Sequence, residues 1–113
     1  MQLHGLSLIG RSLGESVGAS FHAMNPSTGS ELPELFYTAS TAEVDRAAEL
    51  ASGAFETYAA TSGAERAAFL RAIADELEAS RAQITERVPL ETALPQGRAN
   101  GELGRTIGQL RMF

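Results

Sequence analysis

Apolar residues follow two different periods along the chain. Up to about residue 40, short β-type runs at 6–9, 20–24 and 35–38 are separated by glycines and other turn residues, which predicts three short strands. Between the second and third runs, the sequence Asn-Pro-Ser-Thr-Gly predicts the turn of an antiparallel pair, because proline presets φ and glycine accepts a positive φ. From residue 41 onward the apolar residues recur at helical spacing. The pattern therefore predicts a strand segment over 1–40 and a helical segment over 41–113.

Three serines mark the expected starts of the first three helices. Ser40, Ser62 and Ser80 are each followed three residues later by Glu or Gln, which is the spacing of a capping box. Pro89 should kink or end the third helix, and Pro95 suits the first position of a fourth. The first two helices each carry one apolar face, formed by Val44, Ala47, Ala48, Ala51, Ala54, Phe55 and Tyr58 in the first and by Ala67, Leu70, Ile73, Ala74 and Leu77 in the second.

The fourth predicted helix, 96–113, carries three stripes at helical spacing. Four interior glycines cost about 1 kcal/mol each relative to alanine, so this helix is expected to need packing on more than one side. Arg105 either belongs to a solvated face or lines a pocket and binds an anion. Because the helical pattern reaches the last residue without a cap, we expect the chain to be part of a longer polypeptide. The stripes are an apolar one of Leu103, Ile107 and Leu110, a bare one of Gly97, Gly101, Gly104 and Gly108, and a polar one of Arg98, Glu102, Arg105 and Gln109.

Composition narrows the chemistry that the chain can carry. Its 113 residues, of which 43% are apolar, have the length and balance of one small globular unit. The net charge of -5 has the wrong sign for a protein that neutralises phosphates, so we expect no nucleic-acid partner. All 9 cationic residues are arginine and cysteine is absent, which excludes a lysine Schiff base and a thiolate nucleophile within the chain. No stretch resembles a signal peptide or a membrane span, so the expected location is cytoplasmic, with no membrane partner.

Two histidines and one acid are the remaining residues that could form a site. His4 and His22 have no second histidine or acid at metal-ligand spacing, so both are expected to be ordinary strand histidines. At the junction before the fourth helix, Glu91 is a surface acid, a partner for an arginine, or a cation ligand. On these residues alone, a complete small α+β scaffold that docks a partner on its glycine-faced helix stands as the alternative to part of an enzyme.

Four phrases, taken in order, resemble the N-terminal region of NAD(P)-dependent aldehyde dehydrogenases. They are Asn-Pro-Ser-Thr-Gly at 25–29, Ala-Glu-Val-Asp-Arg-Ala-Ala at 42–48, Glu-Arg-Ala-Ala-Phe-Leu at 65–70 and Glu-Thr-Ala-Leu-Pro at 91–95. The stretch 101–111 looks most like the branch that oxidises 2-oxoglutarate semialdehyde. The resemblance implies an α+β fragment, short antiparallel strands followed by about four helices. It would be an incomplete part of the dinucleotide-binding domain in the α/β aldehyde dehydrogenase fold.

The resemblance also implies what the whole protein would do and what this chain would lack. A semialdehyde would be oxidised to its carboxylate with NADP or NAD, by a cysteine, a glutamate base and a glycine-bearing cofactor motif that all lie downstream. The chain alone is therefore expected to be inactive. Its implied partners are the remainder of the same polypeptide, further copies in a homo-oligomer and a small aldehyde substrate.

Two sites carry over from the family onto this sequence. Arg105, with Gln109 one turn further on, falls on the helix that contributes to the substrate entrance. Family members often hold a monovalent cation between an acid, here Glu91, and backbone carbonyls just before the Asn-Pro turn, here those of Met24 and the residue before it. Ala93 stands where the family usually has glycine. If that glycine uses a positive φ, alanine there costs about 1 kcal/mol and alters the junction that the cation site needs.

Overall fold

Strands come first and helices second in the structure, a computed structural model that describes residues 3–113. Met1 and Gln2 of the predicted strand segment lie outside the described residues. The predicted α+β order is confirmed. The elements are β1 (Leu8–Ile9), β2 (Ser12–Leu13), β3 (Ser20–Asn25), β4 (Ser30–Tyr37), α1 (Thr41–Ala59), α2 (Gly63–Ala79), α3 (Arg81–Thr92) and α4 (Gln96–Leu110).

The strands form two separate pairs. β1 and β2 are antiparallel, with Leu8 opposite Leu13. β3 pairs with β4 across the predicted turn, where the Asn25 carbonyl accepts a hydrogen bond of 2.8 Å from the Gly29 N–H and Gly29 adopts a φ of 70°. The prediction of three strands missed β2, which has two residues and therefore no period to detect. It also began the last strand too late, because β4 runs through Pro33, which a strand at a sheet edge tolerates.

Two of the three predicted capping boxes are present. The Ser40 hydroxyl accepts from the Glu43 N–H at 3.2 Å, and the Glu43 carboxylate accepts from the Ser40 N–H at 2.8 Å. Ser62 and Glu65 form the same pair of bonds at the start of α2. The third prediction was wrong: Ser80 makes no side-chain cap bond. Since α3 starts directly after α2 ends, Ser80 has a φ of -90° and a ψ of 2°, and it lacks the extended backbone that a capping serine needs.

The junction between α3 and α4 differs from the prediction in detail. α3 does not end at Pro89; it continues for one turn and ends at Thr92. Ala93 follows with a φ of 60°, and its N–H donates to the Pro89 carbonyl at 3.0 Å. Pro95 is the residue before α4 rather than its first residue. Ala93 therefore adopts a backbone conformation that favours glycine, the residue that the family usually has there.

The chain divides into two compact units. One comprises the chain up to residue 23 together with 31–60, and the other comprises 24–30 and 61–113. In the second unit, α2 and α3 both pack on α4. The core of that unit is formed by Ala74, which is fully buried, with Leu103 and Ile107. Leu77, Ile84 and Leu110 pack against it, which confirms the apolar faces predicted for α2 and α4.

The first unit buries an acid instead of the apolar face of its helix. In α1, Val44, Phe55 and Tyr58 are 57%, 68% and 47% exposed. Glu43 is buried, and its second carboxylate oxygen accepts a bond of 2.7 Å from the Glu15 N–H. The predicted apolar face of α1 is therefore present as a pattern but is largely exposed to solvent. Glu43 connects the segment after β2 to the start of the helix.

Candidate functional site

The polar stripe predicted on α4 lies on a solvent-exposed face. Leu103 and Ile107 turn toward α2 and α3, and helical geometry places the four polar residues on the remaining surface. Arg98 and Glu102 form an ion pair one turn apart, with 2.7 Å between Nε and Oε1. Their side chains are 69% and 52% exposed, so water surrounds this pair.

A shallow depression of about 370 Å³ follows this face, lined by Gly97, Arg98, Gly101, Glu102 and Arg105. A Cβ atom added at either glycine would meet no other heavy atom within 4 Å. The same holds for the other two glycines of α4. The expected second packing partner for the glycine stripe is therefore not found within residues 3–113, and the bare backbone forms the open floor of the depression.

The depression contains one arginine that is paired with an acid and one that is not. Glu102 neutralises Arg98, whereas Arg105 forms no hydrogen bond or ion pair with any residue between 3 and 113. One guanidinium charge is thus available to a ligand, and a guanidinium binds a carboxylate through two parallel N–H bonds. Gln109 lies one turn beyond Arg105 and is also exposed, where its amide can donate to the same ligand.

The second predicted site contains an acid that already has a partner. Glu91 lies in the last turn of α3, and its Oε1 is 2.5 Å from Nε of Arg87. The arginine side chain is 16% exposed and that of Glu91 is 39% exposed. Met24, the other predicted contributor, is the penultimate residue of β3 and is half-exposed. The sequence offered an arginine partner as one alternative for Glu91 without naming it; the structure shows Arg87, four residues earlier and one helical turn away.

The histidines show no metal site. Nδ1 of His22 lies 2.9 Å from the Leu32 carbonyl oxygen and 3.0 Å from that of Glu34. Since both carbonyl oxygens can only accept, Nδ1 carries the proton, and the His22 side chain donates to the backbone of β4. Within the described part of the chain, no group of three or more His, Cys, Asp or Glu residues is placed to hold a metal ion. No helix there is long and apolar enough to cross a membrane.

Comparison with known proteins places this chain in a class. The model of the aldehyde dehydrogenase family matches residues 14–113, so the chain belongs to the aldehyde dehydrogenase family. This confirms the resemblance that the four phrases indicated. It also sets the two strand pairs and four helices within the N-terminal part of that fold.

The chain is also similar to two named bacterial proteins. The chain is 46% identical, over its full length, to alpha-ketoglutaric semialdehyde dehydrogenase 2 of Azospirillum brasilense. It is 44% identical over 70% of its length to alpha-ketoglutaric semialdehyde dehydrogenase of Acinetobacter baylyi. It spans only 22% and 15% of these two relatives.

A solved structure gives the same fold. The crystal structure of an NAD-dependent benzaldehyde dehydrogenase from Corynebacterium glutamicum superposes on 96% of this chain with a TM-score of 0.85 and 30% identity. The match covers 24% of the solved chain. The fold predicted from the sequence, an α+β part of the aldehyde dehydrogenase fold, is thereby confirmed.

Proposed function

We propose that this chain is part of a bacterial enzyme that oxidises 2-oxoglutarate semialdehyde to the dicarboxylate with NAD or NADP. The observation that carries the proposal is the 46% identity, over the whole chain, to a protein named for that substrate. The structural neighbour is an NAD-dependent enzyme, which supports a nicotinamide cofactor. The cofactor, when bound, would accept a hydride from the substrate carbon.

The reacting groups are proposed to lie in the remainder of the same polypeptide. This chain has no cysteine, so it supplies no thiolate to attack the aldehyde. We also assign none of the described residues to binding of the dinucleotide. We propose that both compact units belong to the dinucleotide-binding domain, that the chain alone is inactive, and that the complete enzyme is a cytoplasmic homo-oligomer.

The contribution of this chain is proposed to be substrate recognition by α4. Arg105 would bind the carboxylate at the far end of the semialdehyde, and Gln109 would donate a second hydrogen bond from the next turn. The support is the unpaired guanidinium at the open depression, beside an Arg98 that Glu102 already neutralises. A pocket of this charge favours an acidic aldehyde over a neutral one of similar length.

Replacement of Arg105 in the complete enzyme tests this proposal. Arg105→Ala should lose a charge-assisted hydrogen bond of roughly 1.5 to 3 kcal/mol, which lowers kcat/KM for the acidic semialdehyde about 10- to 150-fold. A neutral aldehyde of similar length should react almost as before, because it has no carboxylate for the guanidinium.

Arg111→Ala is the control, since Arg111 follows α4 directly but is paired with Asp75 and does not line the depression. It should change kcat/KM for either substrate only slightly. Equal losses for both substrates in Arg105→Ala would indicate damaged helix packing and contradict a role in recognition. If neither substrate lost kcat/KM, Arg105 would be a solvent-exposed surface residue without a role in recognition.

A further inference from the structure

Two arginine–glutamate pairs in this chain have the same spacing but different surroundings. In Arg98–Glu102 the arginine side chain is 69% exposed, whereas in Arg87–Glu91 it is 16% exposed. The N···O distances are 2.7 Å and 2.5 Å, respectively. The first pair is an ordinary surface contact. The second is partly enclosed, and it holds the acid that the family resemblance assigns to a monovalent cation.

The position of Glu91 explains why it needs a positive charge. It lies in the last turn of α3, where the exposed carbonyls of a helix carry a partial negative charge that disfavours a carboxylate. Ala93, two residues further on, has the left-handed conformation that ends α3. A cation at Glu91 would relieve the repulsion and stabilise the junction between α3 and α4.

The residues present do not fit a bound sodium or potassium ion. A guanidinium already donates to Oε1 of Glu91, and it remains protonated at every accessible pH. A metal ion at the same oxygen would stand next to this positive charge and be repelled by it.

We propose that Arg87 is a built-in cation at Glu91, and that it replaces the monovalent metal ion there. The α3–α4 junction then holds its geometry without sodium or potassium. This proposal is independent of the substrate proposed above, because it concerns the stability of the junction and not the reaction.

Thermal unfolding in matched salts tests the replacement. Tm is measured in sodium, potassium and tetramethylammonium chloride at equal ionic strength, for the 113-residue chain and for the complete polypeptide proposed above. The parent should show the same Tm in all three salts. Arg87→Gln should have a lower Tm in tetramethylammonium chloride, and sodium or potassium should restore it in a saturating manner, as expected for a ligand that binds the folded state.

Three further variants separate charge replacement from general damage. Arg98→Gln removes the equivalent exposed pair and should show no preference among the salts. Arg87→Lys keeps a positive charge and should remain independent of the metal ion. In Arg87→Gln/Glu91→Gln the carboxylate is gone, so sodium and potassium should no longer restore Tm.

Two results would overturn the proposal. One is a parent whose Tm rises in a saturating manner with sodium or potassium but not with tetramethylammonium, and loses that rise in Glu91→Gln. The other is an Arg87→Gln variant that unfolds at the same lowered Tm in all three salts. If Arg87→Gln fails to fold, the sodium NMR line width of the parent decides: broadening that Glu91→Gln abolishes shows a bound ion and contradicts the proposal, and its absence supports it.

Discussion

Ala93 is the one non-glycine residue with a positive φ among residues 3–113. The left-handed conformation costs an L-residue roughly 1 to 2 kcal/mol, part of which alanine recovers through the smaller entropy of its unfolded chain. Ala93→Gly should therefore raise the free energy of unfolding by about 0.5 to 1 kcal/mol. Denaturant unfolding of the chain measures this.

Ala60→Gly is the control for that substitution. Ala60 also follows a helix, but it has a φ of -78°, where glycine gains nothing and adds unfolded-state entropy. It should leave stability unchanged or lower it. A gain of equal size in both variants would show that glycine at a helix end, and not relief of the positive φ, is responsible.

Glu43 makes the first unit sensitive to acid. Hydrogen bonds from the Ser40 N–H and then the Glu15 N–H hold the pKa of this carboxyl below its ordinary value. The stabilisation by the charged form is therefore complete above the ordinary carboxyl pKa and is lost as pH falls through the lowered one. Glu43→Gln should reduce Tm at pH 7, and the difference from the parent should shrink as the solution is acidified.

The exposed residue Glu49, on the same helix, provides the comparison. Glu49→Gln should leave the pH dependence of Tm close to that of the parent. If the Tm of Glu43→Gln ran parallel to that of the parent across the acid range, the two backbone hydrogen bonds would not be the source of the acid sensitivity.

At the scale of elements, α4 shows which features the helical period predicts and which it does not. The sequence separated its apolar, glycine and polar stripes, and the structure confirms the apolar one because α2 and α3 cover it within this chain. The same spacing placed Arg105 and Gln109 on the polar stripe, away from the apolar one. Whether they touch a substrate does not follow from the period, since a solvated face and a pocket wall have the same pattern.

Other elements were predicted less well, for local reasons. Pro89 was expected to kink or end α3, and the helix continues past it to Thr92. The Ser80 capping box failed since no linker separates α2 from α3. In both cases the residue types indicated a helix boundary nearby. The spacing between neighbouring elements determined where the helix ends and whether the cap forms.

Gly101 should respond in opposite ways in the chain and in the complete enzyme. It lies inside α4 with open space where a Cβ would be, so Gly101→Ala should stabilise the isolated chain by roughly 0.5 to 1 kcal/mol through helix propensity. In the complete enzyme the added methyl group would occupy the floor of the proposed substrate depression. There we expect a loss of kcat/KM for the semialdehyde.

Gly53 is a matched glycine, inside α1 and equally open. Gly53→Ala should give a similar gain in the free energy of unfolding of the chain and should not affect kcat/KM through the depression on α4. Unchanged activity in Gly101→Ala would argue that the glycine face takes no part in substrate access.

At the scale of the whole molecule, the uncovered face of α1 should control self-association. The Leu103, Ile107 and Leu110 stripe of α4 is covered in the structure, whereas Val44 and Phe55 of α1 are more than half exposed. Exposed apolar patches of this kind promote association. Light scattering of the isolated chain should therefore show oligomers at high concentration, and Phe55→Glu should shift them toward monomer.

Thr57→Glu adds the same charge on the opposite side of α1 and should have much less effect. If both variants dissociated the oligomers equally, net charge and not the apolar face would be the cause. The sequence predicted that α1 has this face but not that it would be uncovered, because burial depends on the surrounding chain and periodicity reports only the side that would be buried.

The glycine content of α4 has a consequence for when this helix becomes ordered. Four glycines weaken it by roughly 4 kcal/mol relative to alanine, so its amide protons owe their protection to docking on α2 and α3 and not to the helix itself. Hydrogen exchange in α4 should therefore follow the opening of the three-helix unit as a whole. The segment proposed to recognise the substrate should therefore become ordered together with α2 and α3, and a peptide of α4 alone should not present the recognition face.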